Sequence, residues 1–294
     1  MAEIKKWNTK KQGQRVVVLV SQDSSDMYFA NQLIKNLNVV GVFVEKQHGK
    51  APNLFIKFVK IFKYLIKPKL FIKAIKDNIN NKYYGKRASR IALDGFGLEG
   101  SKLLAGGDCK VVYTEGINAI NEPVYVEEIK KLKPDVIAVC GTSILKRPIL
   151  SIPVKGVLNI HGGLSQRYRG VWTTLWAIYN EEPEYIGATV HYVSDGIDDG
   201  NIIYQGSPEI AEDDNHETLY VKVVKLGIDL MVKAIYDIQN NKVKSYPLKT
   251  KGNLYLKKMV TPEIIKEVWE KIDKGFIREY VKNRALREKK VKLF

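Results

Sequence analysis

Arg15 to Ser21 read RVVVLVS, a short β-branched apolar run of the kind that forms a strand buried on both faces. A polar turn follows at Gln22 to Asp26, with Asp and Ser placed to cap a helix. Apolar residues then recur at helical spacing from Met27 to Leu37, and Val39 to Val44 (VVGVFV) is a second buried run. Strand, turn, helix and strand in this order open a parallel, doubly wound sheet of the α/β class. The same grammar resumes downstream. Lys110 to Tyr113 (KVVY) reads as a strand, Glu122 to Leu132 as a helix stopped by Pro134, and Asp135 to Cys140 (DVIAVC) and Gly156 to Ile160 (GVLNI) as buried strands. Helical spacing returns over Trp172 to Tyr179. Gly187 to Val193 (GATVHYV) alternates as a half-buried antiparallel or edge strand should, and forms a hairpin with Ile202 to Gly206 (IIYQG) around the turn from Asp195 to Gly200. Thr218 to Tyr236 is one long amphipathic helix. The tail from Pro247 is mixed and polar, with a late helix near Pro262 to Lys274.

Between the second and third strands the character changes. Leu54, Phe55, Phe58, Val59, Phe62, Leu65 and Ile66 recur at helical spacing with lysines between them, Pro68 breaks the pattern, and a second amphipathic helix is expected over Leu70 to Ile79. A basic, aromatic helix pair suits an anionic membrane or a partner. As an insertion packed on the sheet its lysines are simply solvated, and that is the expectation. The division that results is a catalytic unit over 14–240, with a helical insertion at 54–86, and a short C-terminal extension over 241–294.

Composition narrows the class without naming a function. With 294 residues, 45% hydrophobic and 27% charged, the chain buries a full core and is not disordered. Its 48 Lys+Arg against 32 Asp+Glu give +16, which attracts anions in general. Lys dominates Arg, the residue preferred for bidentate phosphate contacts, so the excess reads as solvated lysines and nucleic acid is not an expected partner. Cys109 and Cys140 have neither a disulfide framework nor a zinc spacing, which points to a reduced, cytoplasmic setting. No run approaches ~18 apolar residues, so no membrane span is expected. The four histidines are too scattered for a metal site. His48 and His216 are expected at the surface, and His191 as a structural residue without a partner.

The chemistry concentrates between Asp135 and Gln205. Asn159 and His161, two apart on one strand, project to the same side at the strand's end, where open α/β sheets place ligands. Passing an acyl group to an amine goes through a tetrahedral carbon bearing an oxyanion, which needs donors placed in advance. The amide of Asn159 and the imidazole of His161 provide them, and a histidine also relays the amine's proton near neutral pH. A carboxylate such as Asp198, in the Gly-rich acidic turn, can orient the imidazole and stabilise its charged form. Arg167, Tyr168 and Arg169 stand close behind and are expected to touch substrate, whereas Trp172 and Trp176, four apart, are expected to pack mainly into the core.

The string Val157-Leu-Asn-Ile-His161, with Leu164, Tyr168, Arg169 and Gly170, then GATVHYV (187–193) and IDDGNIIYQ (197–205), resembles the formyltransferase family. That family includes glycinamide ribonucleotide transformylase, the catalytic domain of methionyl-tRNA formyltransferase, and N-formyltransferases of amino sugars. The resemblance implies a Rossmann-like formyltransferase domain with a mostly parallel sheet, to which this chain adds the basic helical insertion and the C-terminal extension. It also implies Asn159, His161 and Asp198 as the catalytic trio and N10-formyltetrahydrofolate as the formyl donor. The folate is expected against Thr142, Ser143, Ile144 and Leu145 and the loop from Ser194 to Asp198, including Asp195. Asp198 is chosen over Asp199 on register alone. After the His this chain reads Gly162-Gly163-Leu164-Ser165-Gln166, where the family often has a Pro-Ser-Leu-Leu-Pro-like loop. The first turn lacks a Gly-rich phosphate cradle, which argues against a ribonucleotide acceptor. The tail does not read as a five-stranded barrel. The expected acceptor is a nucleotide-linked amino sugar, with a homodimer left open. The alternatives are a methionyl-tRNA formyltransferase-like enzyme and a non-catalytic folate- or ligand-binding member of the fold.

Overall fold

The structure is a computed structural model, and it describes residues 13–46, 66–194 and 196–294. The first helix of the basic pair (54–65), His48 and Asp195 lie outside the described residues. Strands β1 (Val16–Ser21), β2 (Val39–Glu45), β3 (Lys110–Thr114), β4 (Val136–Cys140) and β5 (Val157–His161) run parallel in the order β3-β2-β1-β4-β5. The sheet is completed by β7 (Ala188–Tyr192) and β8 (Ile202–Gly206), with β7 antiparallel to both of its neighbours. A short strand β6 (Tyr168–Gly170) leaves this sheet and pairs with β9 (Asn253–Tyr255) of the C-terminal extension. Val16 to Val20 are fully buried, each such side chain contributing roughly 1.5–3 kcal/mol through area removed from water. Strand order reverses between β1 and β4, so the crevice beyond their carboxyl ends is the place where such sheets hold ligands.

Helix α1 (Ser24–Asn36) begins after Asp23, whose side chain makes no cap bond. The polar turn instead feeds Asp26, which accepts from the Ser21 and Ser25 hydroxyls at 2.5 and 3.1 Å and from the Cys140 thiol at 3.3 Å. Burial pushes the Asp26 carboxyl up to about 6.

The basic segment differs most from expectation. Rather than ending near Ile79, helix α2 runs from Pro68 to Ser101, and position 86 falls inside it. Its second half is the crossover from β2 to β3: Ile91, Ala92 and Phe96 join the core beside α1. Its middle docks on helix α7 (Pro262–Asp273), where Arg87 lies 3.6 Å over the Trp269 ring and Tyr84 stacks on the same ring. Gly97 breaks the helix with φ 56° and ψ −148°, a conformation that a side chain would strain.

Helices α3 (Pro123–Lys131), α4 (Arg147–Leu150), α5 (Thr173–Tyr179) and α6 (His216–Gln239) follow, and α8 (Phe276–Glu288) is a second helix in the tail that hydrophobic spacing did not reveal. Val268, Ile277, Tyr280 and Tyr255 from the tail share one core with Trp176, Leu219 and Val223. His216, expected at the surface, is 3% exposed and sits edge-on to Trp269. The tail covers it, which local sequence could not show. Trp176 is core, but Trp172 precedes α5 with φ 61° and is 45% exposed, so helical spacing does not apply to it. Strand β7 is not an edge: Thr189 and His191 are 0% and 3% exposed, and their polar alternation faces the site rather than water.

Candidate functional site

Strand β5 carries Asn159 and His161 to its carboxyl end, and β7 sets His191 opposite Asn159 and Thr189 opposite His161. The turn before β8 closes the cluster. Asp198 lies in the left-handed region at φ 48°, which Asp tolerates better than most residues, and its carboxylate turns inward. Its Oδ2 is 3.3 Å from His161 Nδ1 and accepts from the Gly170 backbone N–H at 2.9 Å. Its Oδ1 accepts from the Asn159 amide at 3.3 Å. His161, 4% exposed, has its other ring nitrogen 2.8 Å from the Tyr168 carbonyl. An imidazole between a carboxylate and a carbonyl can take a second proton without moving.

His191 has partners after all. Its Nε2 is 3.2 Å from the Asn159 amide nitrogen and 3.5 Å from Asp198 Oδ1, while Nδ1 is 2.8 Å from the Tyr192 carbonyl. Unprotonated at Nε2, it accepts from Asn159; protonated there, it donates to Asp198. Burial alone would raise the Asp198 carboxyl. The facing His161, the bond and charge of His191 and the Gly170 N–H outweigh it and hold the group well below the usual carboxylate range. Asp199 points elsewhere, accepting from the Ser194 hydroxyl at 2.5 Å and the Lys251 ammonium at 2.6 Å.

The two glycines after His161 behave differently. A Cβ on Gly162 would meet nothing closer than 3.8 Å, but one on Gly163 would lie 2.8 Å from His161 Nε2 and 3.0 Å from Thr173 Cβ. The second glycine therefore makes room for the imidazole, and the Thr173 hydroxyl fixes the loop by donating to the Gly162 carbonyl.

Of the three residues expected to touch substrate, the structure engages all three within the protein. Arg167 forks onto Glu182, and the Tyr168 hydroxyl donates to the same carboxylate at 2.7 Å while its ring stacks on Tyr255. It is the Tyr168 carbonyl, not its side chain, that reaches His161. Arg169 donates to the Gly252 and Ile197 carbonyls at 2.9 and 3.0 Å, tying the acidic turn to the C-terminal extension. Sequence reasoning missed Glu182, Lys251 and Gly252 as supports because each is remote in the chain. His191 carried one signal, its register opposite Asn159, legible only once β5 is known to pair with β7.

Thr142 to Leu145 extend from β4 beside the crevice. The Ser143 N–H donates to the buried Glu45 at 2.7 Å, its hydroxyl accepts from the Asn118 N–H at 3.1 Å, and Ile144 is 66% exposed. Leu145 is buried in the cluster against which Val193 also packs. Among the described residues, no group of three or more His, Cys, Asp or Glu could hold a metal ion, and no helix is long and apolar enough to cross a membrane.

This arrangement of sheet and crossover helices is a Rossmann-like formyltransferase fold. It is shared with a 4-N formyltransferase from Francisella tularensis (TM-score 0.50, 20% identity, covering 83% of this chain and 77% of that one). Glycinamide ribonucleotide transformylase 1 from Symbiobacterium toebii also shares it (TM-score 0.51, 17% identity, 80% and 94%). Residues 109–235 of the chain match the formyl transferase family model. The methionyl-tRNA formyltransferase of Caldanaerobacter subterraneus subsp. tengcongensis is 34% identical over 135 residues, 46% of this chain and 43% of that relative. The chain thus aligns with less than half the length of that curated relative.

Proposed function

We propose that this protein transfers the formyl group of N10-formyltetrahydrofolate to the primary amine of a nucleotide-linked amino sugar. The observation that carries the reading is the convergence of Asn159, His161 and Asp198 at the end of β5, inside the stretch that matches the formyl transferase family. The folate substrate is assigned to the crevice beside residues 142–145, where exposed Ile144 offers apolar surface next to backbone polar groups.

The acceptor nitrogen attacks the formyl carbon, and the carbonyl oxygen takes on negative charge. The Asn159 amide and the His161 ring are the donors for that oxygen, each giving up one internal partner (His191, Asp198 or the Tyr168 carbonyl) as the substrate arrives. His161 then carries the proton that leaves the amine, its charge matched by ionised Asp198. Collapse breaks the bond from the formyl carbon to folate N10, which receives a proton. The folate is released as tetrahydrofolate and the amine as its formamide.

The sugar acceptor is favoured by the chain's own residues: the first turn has no Gly-rich phosphate cradle, and the tail folds as helices rather than a barrel. A methionyl-tRNA acceptor is the second reading, favoured by 34% identity over 135 residues to such an enzyme. The test is formyl transfer to a panel of nucleotide-linked amino sugars, followed optically as the folate product appears, with His161→Ala as control. Turnover absent from the whole panel but present with methionyl-tRNA replaces the acceptor. Folate binding with no turnover on sugar, tRNA or ribonucleotide acceptors leaves a binding protein.

A further inference from the structure

Helix α2 has two faces, and among the described residues only one is packed. At about 100° per residue, Ala74, Asp77, Tyr84, Arg87, Ala88, Ile91 and Gly95 fall on the side packed against α7 and the core. The opposite side carries Ile72, Ile75, Ile79, Tyr83 and Leu93, which are 65%, 46%, 63%, 63% and 60% exposed. Lys82 and Lys76 flank this stripe on either side, Lys86 and Arg90 lie on it between Tyr83 and Leu93, and all four are exposed. From Ile66 to Leu93 the only acid is Asp77, on the packed side. The apolar part from Ile72 to Tyr83, edged and followed by cations, is uncommon on a protein surface exposed to water.

The geometry points to this face as a docking surface for an anionic lipid bilayer, with α2 lying in the headgroup plane. Charge decides the occupant. A second copy using the same face would set Lys76, Lys82, Lys86 and Arg90 against their own equivalents with a single exposed acid, Asp94, at its edge. Residues 47–65 would do no better, since they contain Lys50, Lys57, Lys60 and Lys63 and no Asp or Glu. A nucleic acid would satisfy the cations but gain nothing from isoleucines, because it reads surfaces through Arg forks and stacked aromatics. A bilayer interface takes both at once: acyl chains receive Ile72, Ile75 and Ile79, while the lysine stems run up the sides to place ammonium groups among lipid phosphates. The helix lies on the membrane and does not cross it, and the inference does not depend on what the catalytic site acts on.

The test is co-sedimentation of the full chain with vesicles of phosphatidylcholine, with and without phosphatidylglycerol, at low and high salt. Binding is expected to the anionic vesicles only, and to weaken as salt is raised. Lys76→Gln, Lys82→Gln and Lys86→Gln together should lower partitioning by about a hundredfold, since each cation near an anionic surface is worth about a factor of five. Ile72→Glu with Ile79→Glu should abolish binding, and circular dichroism and formyl-transfer rates identical to the parent would establish that both variants fold. Three results overturn the inference: no sedimentation of the parent chain, equal binding to vesicles without phosphatidylglycerol, or binding unchanged in the variants. A parent dimer that the Ile72→Glu, Ile79→Glu variant converts to monomer, by sedimentation velocity, also overturns it and gives the stripe to a second copy.

Discussion

Replacing Asp198 by Asn keeps the size and shape of the side chain and removes its charge. The carboxylate is 12% exposed, faces His161 Nδ1 at 3.3 Å and stays ionised because His161, His191 and the Gly170 N–H outweigh its burial. Hydrogen bonds to charged groups contribute about 1.5–3 kcal/mol, and this one strengthens when His161 carries the amine's proton. Losing it at that moment slows the chemical step by about 10- to 150-fold. The Asn oxygen still accepts from the Gly170 N–H, but its NH2 then faces the Asn159 amide, so a lower melting temperature is expected alongside the slower rate. The comparison is Asp199→Asn, which loses a partly exposed pair with Lys251 of a kind that contributes about 0–1 kcal/mol, and leaves the rate within several-fold. Steady-state formyl transfer at saturating donor, with melting temperatures for both variants, reads out each effect. An Asp198→Asn enzyme within about threefold of the parent, or an Asp199→Asn enzyme that is the slower of the two, refutes the assignment of the working carboxylate.

Three further outcomes are expected. Gly163→Ala pushes a methyl against His161 and Thr173, costs about 1–3 kcal/mol of stability by overpacking, and lowers kcat more than it raises KM; an unchanged kcat would mean the ring has room to move. Glu182→Gln weakens the bonds from Arg167 and the Tyr168 hydroxyl and lowers the unfolding free energy by about 1–2 kcal/mol, read as a lower denaturant midpoint at constant slope. Should it instead raise the acceptor's KM and leave stability alone, Arg167 belongs to the acceptor site. His216 is held down to about 3, first by burial and then by Arg87, so between that value and about 6.5 the unfolded chain binds a proton that the folded chain does not. Stability therefore falls as pH drops through that window, by up to about 1.4 kcal/mol per pH unit. Asp26 and Glu217, raised by burial to about 6 and about 7, act in the opposite sense, so the check is the difference between parent and His216→Phe in urea unfolding at about pH 7 and about pH 4.5, where the variant should lose less.

The parallel strands and the pairing of Asn159 with His161 were legible in the sequence because both are local. A β-branched run buries itself whatever its neighbours, and residues two apart on a strand share a face wherever that strand goes. The hairpin of β7 and β8 was legible for the same reason, its turn lying between two alternating runs.

What only the tertiary structure decided depends on distant parts of the chain. His191 became part of the site through its antiparallel register with Asn159, and the polar alternation of β7 faces that site because β5 and β8 cover both of its edges. Arg167 and Tyr168 were claimed by Glu182, fifteen and fourteen residues away, and His216 was buried by Trp269 from the tail. A side chain's residue type fixes what it can donate, accept or bury. Which partner satisfies it is fixed by the packing that brings remote segments within 3 Å, and no spacing along the chain encodes that.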